Sequence, residues 1–346
     1  MKTRGYAVLQ AKAPLVPFEF ERRELSANDV AFNIEFAGIC HSDIHQAREE
    51  WGPALFPMVP GHEIVGIVTE IGAAVRNFKI GDRIGVGVFI DSCRSCENCK
   101  KGLQQYCLEG MTGTYNGFER NSQNIAFGGY SNKFVINEDY AVKVPANLDP
   151  AGVAPLLCAG ITLYSPIKHW KVGPGSKVAV MGLGGLGHMG VKFAAALGAE
   201  VTVLSHSPNK SADAKLMGAS NFVVTKESDW NKSYNKYFDL ILNTVSADLD
   251  LEPYLNTLKT DGTLVVIGLP GKPYSVNAGT LLNGRRSISG SMIGGIPELQ
   301  EMLNFCGSNN ILSDVEIISA DYINQAYDRT VASDVKYRFV IDAKTF

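Results

Sequence analysis

No stretch of this 346-residue chain approaches the ~18 consecutive apolar residues that a membrane-spanning helix requires. An excess of one sign of charge is also missing. Lys and Arg number 32 against 35 Asp and Glu, a net charge of −3 without blocks of like charge, which argues against a nucleic-acid or anionic-membrane partner. The first twenty residues lack the apolar core of a secretory signal, being broken by Lys2, Arg4, Lys12, Pro14 and Pro17, so a cytoplasmic protein is expected. Cysteines are few, seven in all, an odd count that does not suit a fully paired disulfide framework, and four of them crowd between positions 93 and 107. Internal repeats and low-complexity segments are absent. What remains is an ordinary globular composition, 45% hydrophobic and 19% charged, with room for roughly two domains. Glycine is in excess, 35 in the chain against an average share of ~7%, and predicts tight turns and close backbone approaches to a ligand.

The pattern changes partway along. Up to about residue 150 it predicts short strands with turn punctuation, at 29–36, 63–71, 83–89 and 132–135. From there strands and helices alternate: strands at 177–181, 200–204, 221–224, 238–243, 263–267 and 287–291, helices at 187–197, 211–217 and near 253–258. Apolar strands separated by helices predict a doubly wound parallel sheet. The last segment, with a helix at 297–306 and a strand at 338–342, is too short for a good core of its own and is expected to rejoin the N-terminal part. The expected organisation is therefore α/β: a mainly β domain from 1–152 and 294–346, interrupted by a parallel-sheet domain at 153–293.

Within the second domain, Gly182-Leu183-Gly184-Gly185-Leu186-Gly187 follows one predicted strand and opens a helix. In that context Gly182 permits the tight turn, Gly184 lets a pyrophosphate approach the backbone, and Gly187 allows close helix packing, while the helix N-terminus offers N–H groups to phosphate. About twenty residues on, an NAD site would carry an acid for the ribose 2′-hydroxyl. Here stand Ser205-His206-Ser207 and then Lys210, hydroxyls and a cation that suit a 2′-phosphate, so NADP(H) is the expected cofactor. The alternative is a solvated Lys210 and serines that cap the next helix.

Cys93, Cys96, Cys99 and Cys107 supply four thiolates on one polar loop, enough to close a tetrahedral zinc site. An iron–sulfur cluster or redox-active thiols would use the same residues. A catalytic metal needs fewer protein ligands, and Cys40, His62 and Cys158 are candidates, although isolated Cys and His residues are commonly packed core. His41, His169 and His188 are read as structural or supporting, and Cys306 as an ordinary buried thiol.

The segments Gly38-Ile39-Cys40-His41-Ser42-Asp43, Pro60-Gly61-His62-Glu63 and Leu157-Cys158-Ala159-Gly160 resemble the zinc-dependent medium-chain alcohol dehydrogenases. Residues 182–192 with 205–207 are similar to the cinnamyl alcohol dehydrogenase subgroup, which includes broad-specificity aldehyde reductases. The resemblance extends through 289–294 and Asp334-Val335-Lys336-Tyr337-Arg338-Phe339. It implies a GroES-like catalytic domain beside a Rossmann domain, two zinc ions per chain and a homodimer, and an aldehyde or alcohol as the small-molecule partner. It further implies that Cys40, His62 and Cys158 hold a catalytic zinc with Glu63 behind them, and that Ser42 and His45 relay a proton. The same resemblance assigns Thr162, Thr244, Val245, Ile267, Ser291 and Ile293 to the cofactor, and Trp51, Leu55, Met58, Tyr115 and Met292 to the substrate pocket. An NAD-dependent polyol or secondary-alcohol dehydrogenase is disfavoured by Ser205. A non-catalytic NADPH-binding protein would have no need of Cys40, Ser42, His62 and Cys158 together.

Overall fold

A computed structural model describes residues 1–346 and divides the chain into two units, Met1–Ile161 with Gly294–Phe346, and Thr162–Ile293. The first boundary falls later than the expected 152/153. The helical turns Pro150–Val153 and Ala154–Leu157 carry buried Val153, Leu156 and Leu157 and belong with the first unit. The chain then crosses into the second unit along the helix Ala159–His169.

The first unit is built on a seven-stranded sheet in the order Val142–Lys143, Arg83–Val86, Ile64–Ile71, Asp29–Gly38, Arg338–Asp342, Val315–Ile318, with Lys133–Asn137 also paired to the start of Asp29–Gly38. The central position of Asp29–Gly38 explains its composition, since Val30, Ala31, Phe32 and Ala37 are almost completely buried. Its C-terminal end runs antiparallel to both neighbours, with Ala37 opposite Ile64 and Val340 opposite Gly38. Residues just after Gly38, just before Ile64 and at the start of the strand Arg338–Asp342 therefore converge at one end of the sheet.

Several elements of this unit were not marked by local pattern. Lys2–Val8 and Leu15–Glu21 form a separate antiparallel hairpin that accommodates Pro17 opposite Tyr6. Short helices, His41–Ala47 and Glu97–Lys100, interrupt the region read as all strand. The predicted 83–89 strand is two strands, Arg83–Val86 and Phe89–Asp91. The predicted helix 297–306 runs Ile296–Asn309, burying Leu299, Met302, Leu303 and Cys306. Cys306 is fully buried beside Met302, and burial pushes its thiol up to about 12, consistent with an inert packing role.

The second unit is a six-stranded parallel sheet in the order Asn221–Val224, Glu200–Ser205, Lys177–Met181, Phe238–Asn243, Leu258–Val266, Ser287–Gly290. This is the doubly wound dinucleotide order, in which the chain reverses direction across the sheet beside its first strand and ligands gather at the carboxyl ends there. The helix predicted near 253–258 is shorter, Glu252–Leu255, because Leu258 is fully buried and already starts a strand. No single helix of the chain is long and apolar enough to cross a membrane.

Candidate active site

The strand ends of the first unit bring four potential metal-binding residues together. Cys40 follows Asp29–Gly38, His62 and Glu63 precede Ile64–Ile71, and Cys158 lies between the turn Ala154–Leu157 and the helix Ala159–His169. One donor atom from each of Cys40, His62, Glu63 and Cys158 lies within 4.8 Å of all the others, and all four residues are buried. The register is held by Gly38 N donating to Glu63 O at 2.8 Å and Ile39 N to Phe339 O at 2.9 Å. Gly38 is required here, because a Cβ would fall 2.0 Å from Glu63 Oε2.

Asp43, fully buried on the helix His41–Ala47, organises the cluster. Its Oδ1 accepts from Gly61 N at 3.2 Å and pairs with His62 Nδ1 at 3.0 Å, while its Oδ2 accepts from Cys40 N and the Tyr130 hydroxyl, each at 3.0 Å. With Nδ1–H donating to a carboxylate, the other imidazole nitrogen is left with its lone pair available to a metal, the usual outer-shell arrangement of a metal-ligating histidine. His62 Nε2 is buried and has no hydrogen-bond partner. A buried polar atom of this kind is costly unless something satisfies it. The hydrogen bond from Cys158, followed by His62 and the positive charge of Arg338, holds the Cys40 thiol well below its ordinary range. These donors fit a zinc ion bound by Cys40, His62 and Cys158.

Behind them, Arg338 donates to Glu63 Oε1 at 2.5 Å and to Ile39 O at 2.8 Å from the start of the strand Arg338–Asp342. Glu63 Oε2 has no partner, and burial raises the carboxyl to about 7 against the lowering influence of Arg338. Asp43 and Arg338 had no assigned role on sequence grounds. Their signals were present: an acid three residues into a helix that starts at Cys40, and a lone cation heading the apolar run Phe339-Val340-Ile341.

Ser42 is half-buried, with its hydroxyl 3.6 Å from Cys40 Sγ. His45 is engaged elsewhere, its Nδ1 2.5 Å from Glu50 Oε2 and its ring stacked on the exposed indole of Trp51 at 4.8 Å. No hydrogen bond joins Ser42 directly to His45. Tyr115 stacks on His62 at 5.9 Å, while Leu55 is half-buried with its amide donating to Asn116 Oδ1 at 2.8 Å. Met58 is buried and its backbone is paired with Val8. Met292 is exposed and lies in the second unit.

The second cysteine set is self-contained. Donor atoms of Cys93, Cys96, Cys99 and Cys107 all lie within 4.8 Å of one another. Backbone amides point at the sulfurs, Cys93 N to Cys107 Sγ at 3.3 Å, Cys96 N to Cys93 Sγ at 3.4 Å and Cys99 N to Cys96 Sγ at 3.5 Å. Amides of Leu108 and Cys99 bring the Cys96 thiol down to about 6, which favours the thiolates a metal requires. The donor set fits a closed four-thiolate zinc site with no open position.

In the second unit Gly182 follows the strand Lys177–Met181 with φ +83°, and a Cβ on Gly187 would fall 2.0 Å from Gly182 O. Gly184 faces open space, so the backbone there is accessible to a phosphate, and Leu183, Gly185 and Leu186 complete the turn. Thr244 Oγ1 donates to Met181 O at 2.7 Å and Ile267 N to Asn243 O at 2.9 Å, fixing the ends of neighbouring strands. Val245 N donates to Asn243 Oδ1 at 3.1 Å. Lys210 Nζ reaches Leu183 O at 2.8 Å, which puts the cation at the Gly-rich turn, and Ser205 Oγ accepts from Ser207 N at 3.2 Å. His206 Nδ1 is 3.3 Å from Thr225 Oγ1. Thr162 is buried at the start of the unit, Ser291 N donates to Val266 O at 3.2 Å, and Ile293, with φ +39°, ends it. His188 is fully buried with Nδ1 3.1 Å from Gly184 O, a structural role.

Comparison with known proteins accords with this geometry. Residues 26–146 match the alcohol dehydrogenase GroES-like domain and residues 185–308 the zinc-binding dehydrogenase family. The chain is 55% identical over 339 residues, 98% of this chain and 97% of the relative, to NADP-dependent alcohol dehydrogenase C 1 of Mycolicibacterium smegmatis. Among solved structures, a cinnamyl alcohol dehydrogenase of Sorghum bicolor superposes with a TM-score of 0.96 at 41% identity, covering 99% of this chain and 98% of that one. The Helicobacter pylori enzyme CAD, solved with NADP(H), gives a TM-score of 0.93 at 41% identity and 99% coverage of both chains. With similarity running the length of both units, this chain belongs to the zinc-dependent medium-chain alcohol dehydrogenase family and, within it, to the cinnamyl alcohol dehydrogenase-like type.

Proposed function

We propose that the protein is an NADP(H)-dependent alcohol dehydrogenase that interconverts aldehydes, aromatic and cinnamyl types included, with their primary alcohols. The observation that carries this reading is the buried cluster of Cys40, His62 and Cys158, with His62 Nε2 left without a hydrogen-bond partner. A zinc ion held there would supply Lewis acidity toward the substrate oxygen, and the nicotinamide would donate or accept the hydride. A second zinc in the Cys93–Cys107 loop would stabilise the fold.

The chain's own residues prepare the site. Asp43 fixes the His62 tautomer, and Arg338 balances the charge of Glu63 while holding the backbone before Cys40. Ser42 offers the substrate oxygen a hydroxyl for proton exchange, and His45 with Glu50 stands at the exposed side of the same helix. Trp51, Leu55 and Tyr115 supply aromatic and apolar surface suited to an aryl aldehyde. Ser205, Ser207 and Lys210 would hold the 2′-phosphate.

Initial rates with benzaldehyde and cinnamaldehyde, using NADPH and NADH separately, together with zinc quantified per chain, test reaction class, cofactor and metal at once. Two zincs and turnover with NADPH are expected; no turnover with either aldehyde, or fewer than two zincs, would count against the corresponding part. Ser205→Asp should weaken NADPH by charge repulsion and improve NADH, shifting the kcat/KM ratio toward NADH. Equal kcat/KM for the two cofactors in the wild type would eliminate the 2′-phosphate argument. The Ser287–Gly290 strand is the edge of the parallel sheet and is offered as a homodimer contact, to be checked by sedimentation velocity at micromolar concentration.

A further inference from the structure

The backbone that delivers His62 is held by a segment distant in sequence. Gly128 N donates to Val59 O at 2.7 Å, Gly129 N to Gly61 O at 2.8 Å and Tyr130 N to Pro60 O at 2.9 Å. The close approach depends on glycine, since a Cβ on Gly128 would fall 2.3 Å from Pro60 O and one on Gly61 would fall 2.5 Å from the Tyr130 ring. From the other side Arg22 clamps the same turn. Its guanidinium donates to Phe127 O at 2.8 Å, Gly128 O at 2.7 Å and Lys133 O at 2.6 Å, and lies 4.2 Å from the centre of the Phe134 ring. The turn thereby drives Tyr130, fully buried, inward so that its hydroxyl meets Asp43 Oδ2 at 3.0 Å.

We propose that Tyr130 is a positioning residue for the metal ligands, acting through Asp43 on the His62 imidazole and the Cys40 backbone. This rests on the reading of Cys40, His62 and Cys158 as zinc ligands. Asp43 has no access to water, so each donor to its carboxylate fixes where the oxygens lie, and Tyr130 supplies the only hydroxyl among its four hydrogen-bond donors. Without that hydroxyl, Oδ2 keeps one donor and the carboxylate is held less tightly, loosening the orientation of the imidazole bonded to it. Groups that orient ligating histidines contribute about 10- to 100-fold in metal affinity.

The test compares wild-type, Tyr130→Phe and Tyr327→Phe holoenzymes by competition titration against a chromogenic zinc chelator. Tyr327 packs edge-on against Tyr130, but its hydroxyl makes no hydrogen bond to Asp43, so its loss controls for packing around Tyr130. Cys96→Ser identifies the ion belonging to the Cys40 cluster. Tyr130→Phe should hold that ion about 10- to 100-fold more weakly, with the loop ion unchanged and Tyr327→Phe like wild type. The same comparison in an Asp43→Asn background separates positioning from general destabilisation: there, removing the Tyr130 hydroxyl should change zinc affinity less than about twofold. Unchanged affinity in Tyr130→Phe, or an equal loss in both backgrounds, overturns the proposal. A wild type that carries no zinc at this cluster overturns the underlying reading as well.

Discussion

Arg338→Met should destabilise the protein by about 3–5 kcal/mol, the usual result of breaking a buried ion pair from one side. At 2–4 °C per kcal/mol for a unit of this size, that is a fall in Tm of roughly 6–20 °C. The side chains of Arg338 and Glu63 are 5% and 0% exposed, so water cannot replace the lost partner. The damage extends to the backbone, because Arg338 Nε and Nη2 also donate to Ile39 O, the carbonyl just before Cys40. Glu63→Gln removes the orphaned charge and should recover part of the loss in the double variant, as read by differential scanning calorimetry. If the single and double variants melt together, the ion pair is not what Arg338 contributes.

Ser42→Ala should keep the wild-type metal content and NADPH affinity but lower kcat by roughly 10²-fold or more, the scale for removing a positioned proton-transfer group. The hydroxyl sits 3.6 Å from Cys40 Sγ on the first turn of a helix whose start is pinned by Asp43. Ser42→Thr keeps that hydroxyl and should remain active. His45→Gln should cost less and respond to added buffer, because His45 pairs with exposed Glu50 and has no direct bond to Ser42. A substrate isotope effect from deuterated NADPH shows whether chemistry limits the rate. Near-normal turnover of Ser42→Ala under that condition would remove Ser42 from the mechanism.

These residues also show what a linear sequence reveals. The Cys93–Cys107 loop was legible as a candidate metal site because its four cysteines are close in sequence, and the Gly-rich turn because strand, glycines and helix follow one another. Cys40, His62 and Cys158 are brought together only by the pairing of Asp29–Gly38 with Ile64–Ile71, so their spacing says little and resemblance had to supply the link. Asp43, Arg338 and Tyr130 were missed for the same reason. Asp43 and Arg338 left local traces, an acid early in a helix and a cation heading an apolar run, but the partners that give them and Tyr130 their roles, His62, Glu63 and Asp43, are brought close only by the fold. Local rules failed elsewhere when burial outweighed them. Pro166 lies inside the helix Ala159–His169, where Leu163, Tyr164 and Ile167 are buried and Trp170 N still bonds to Pro166 O, so the helix persists across a residue that normally ends one.

The strand Arg338–Asp342 lies inside its sheet, between Asp29–Gly38 and Val315–Ile318, although it is made after the whole of the second unit. On the ribosome the second unit, residues 162–293, is complete while the first still lacks this strand. A nascent chain halted before residue 338 already carries Cys40, His62 and Cys158, yet has a gap in the middle of its sheet and no counterion for Glu63. Completion of the surroundings of this cluster thus waits for synthesis past residue 342, and deletion of residues 338–342 strikes the middle of the first unit's sheet rather than its periphery.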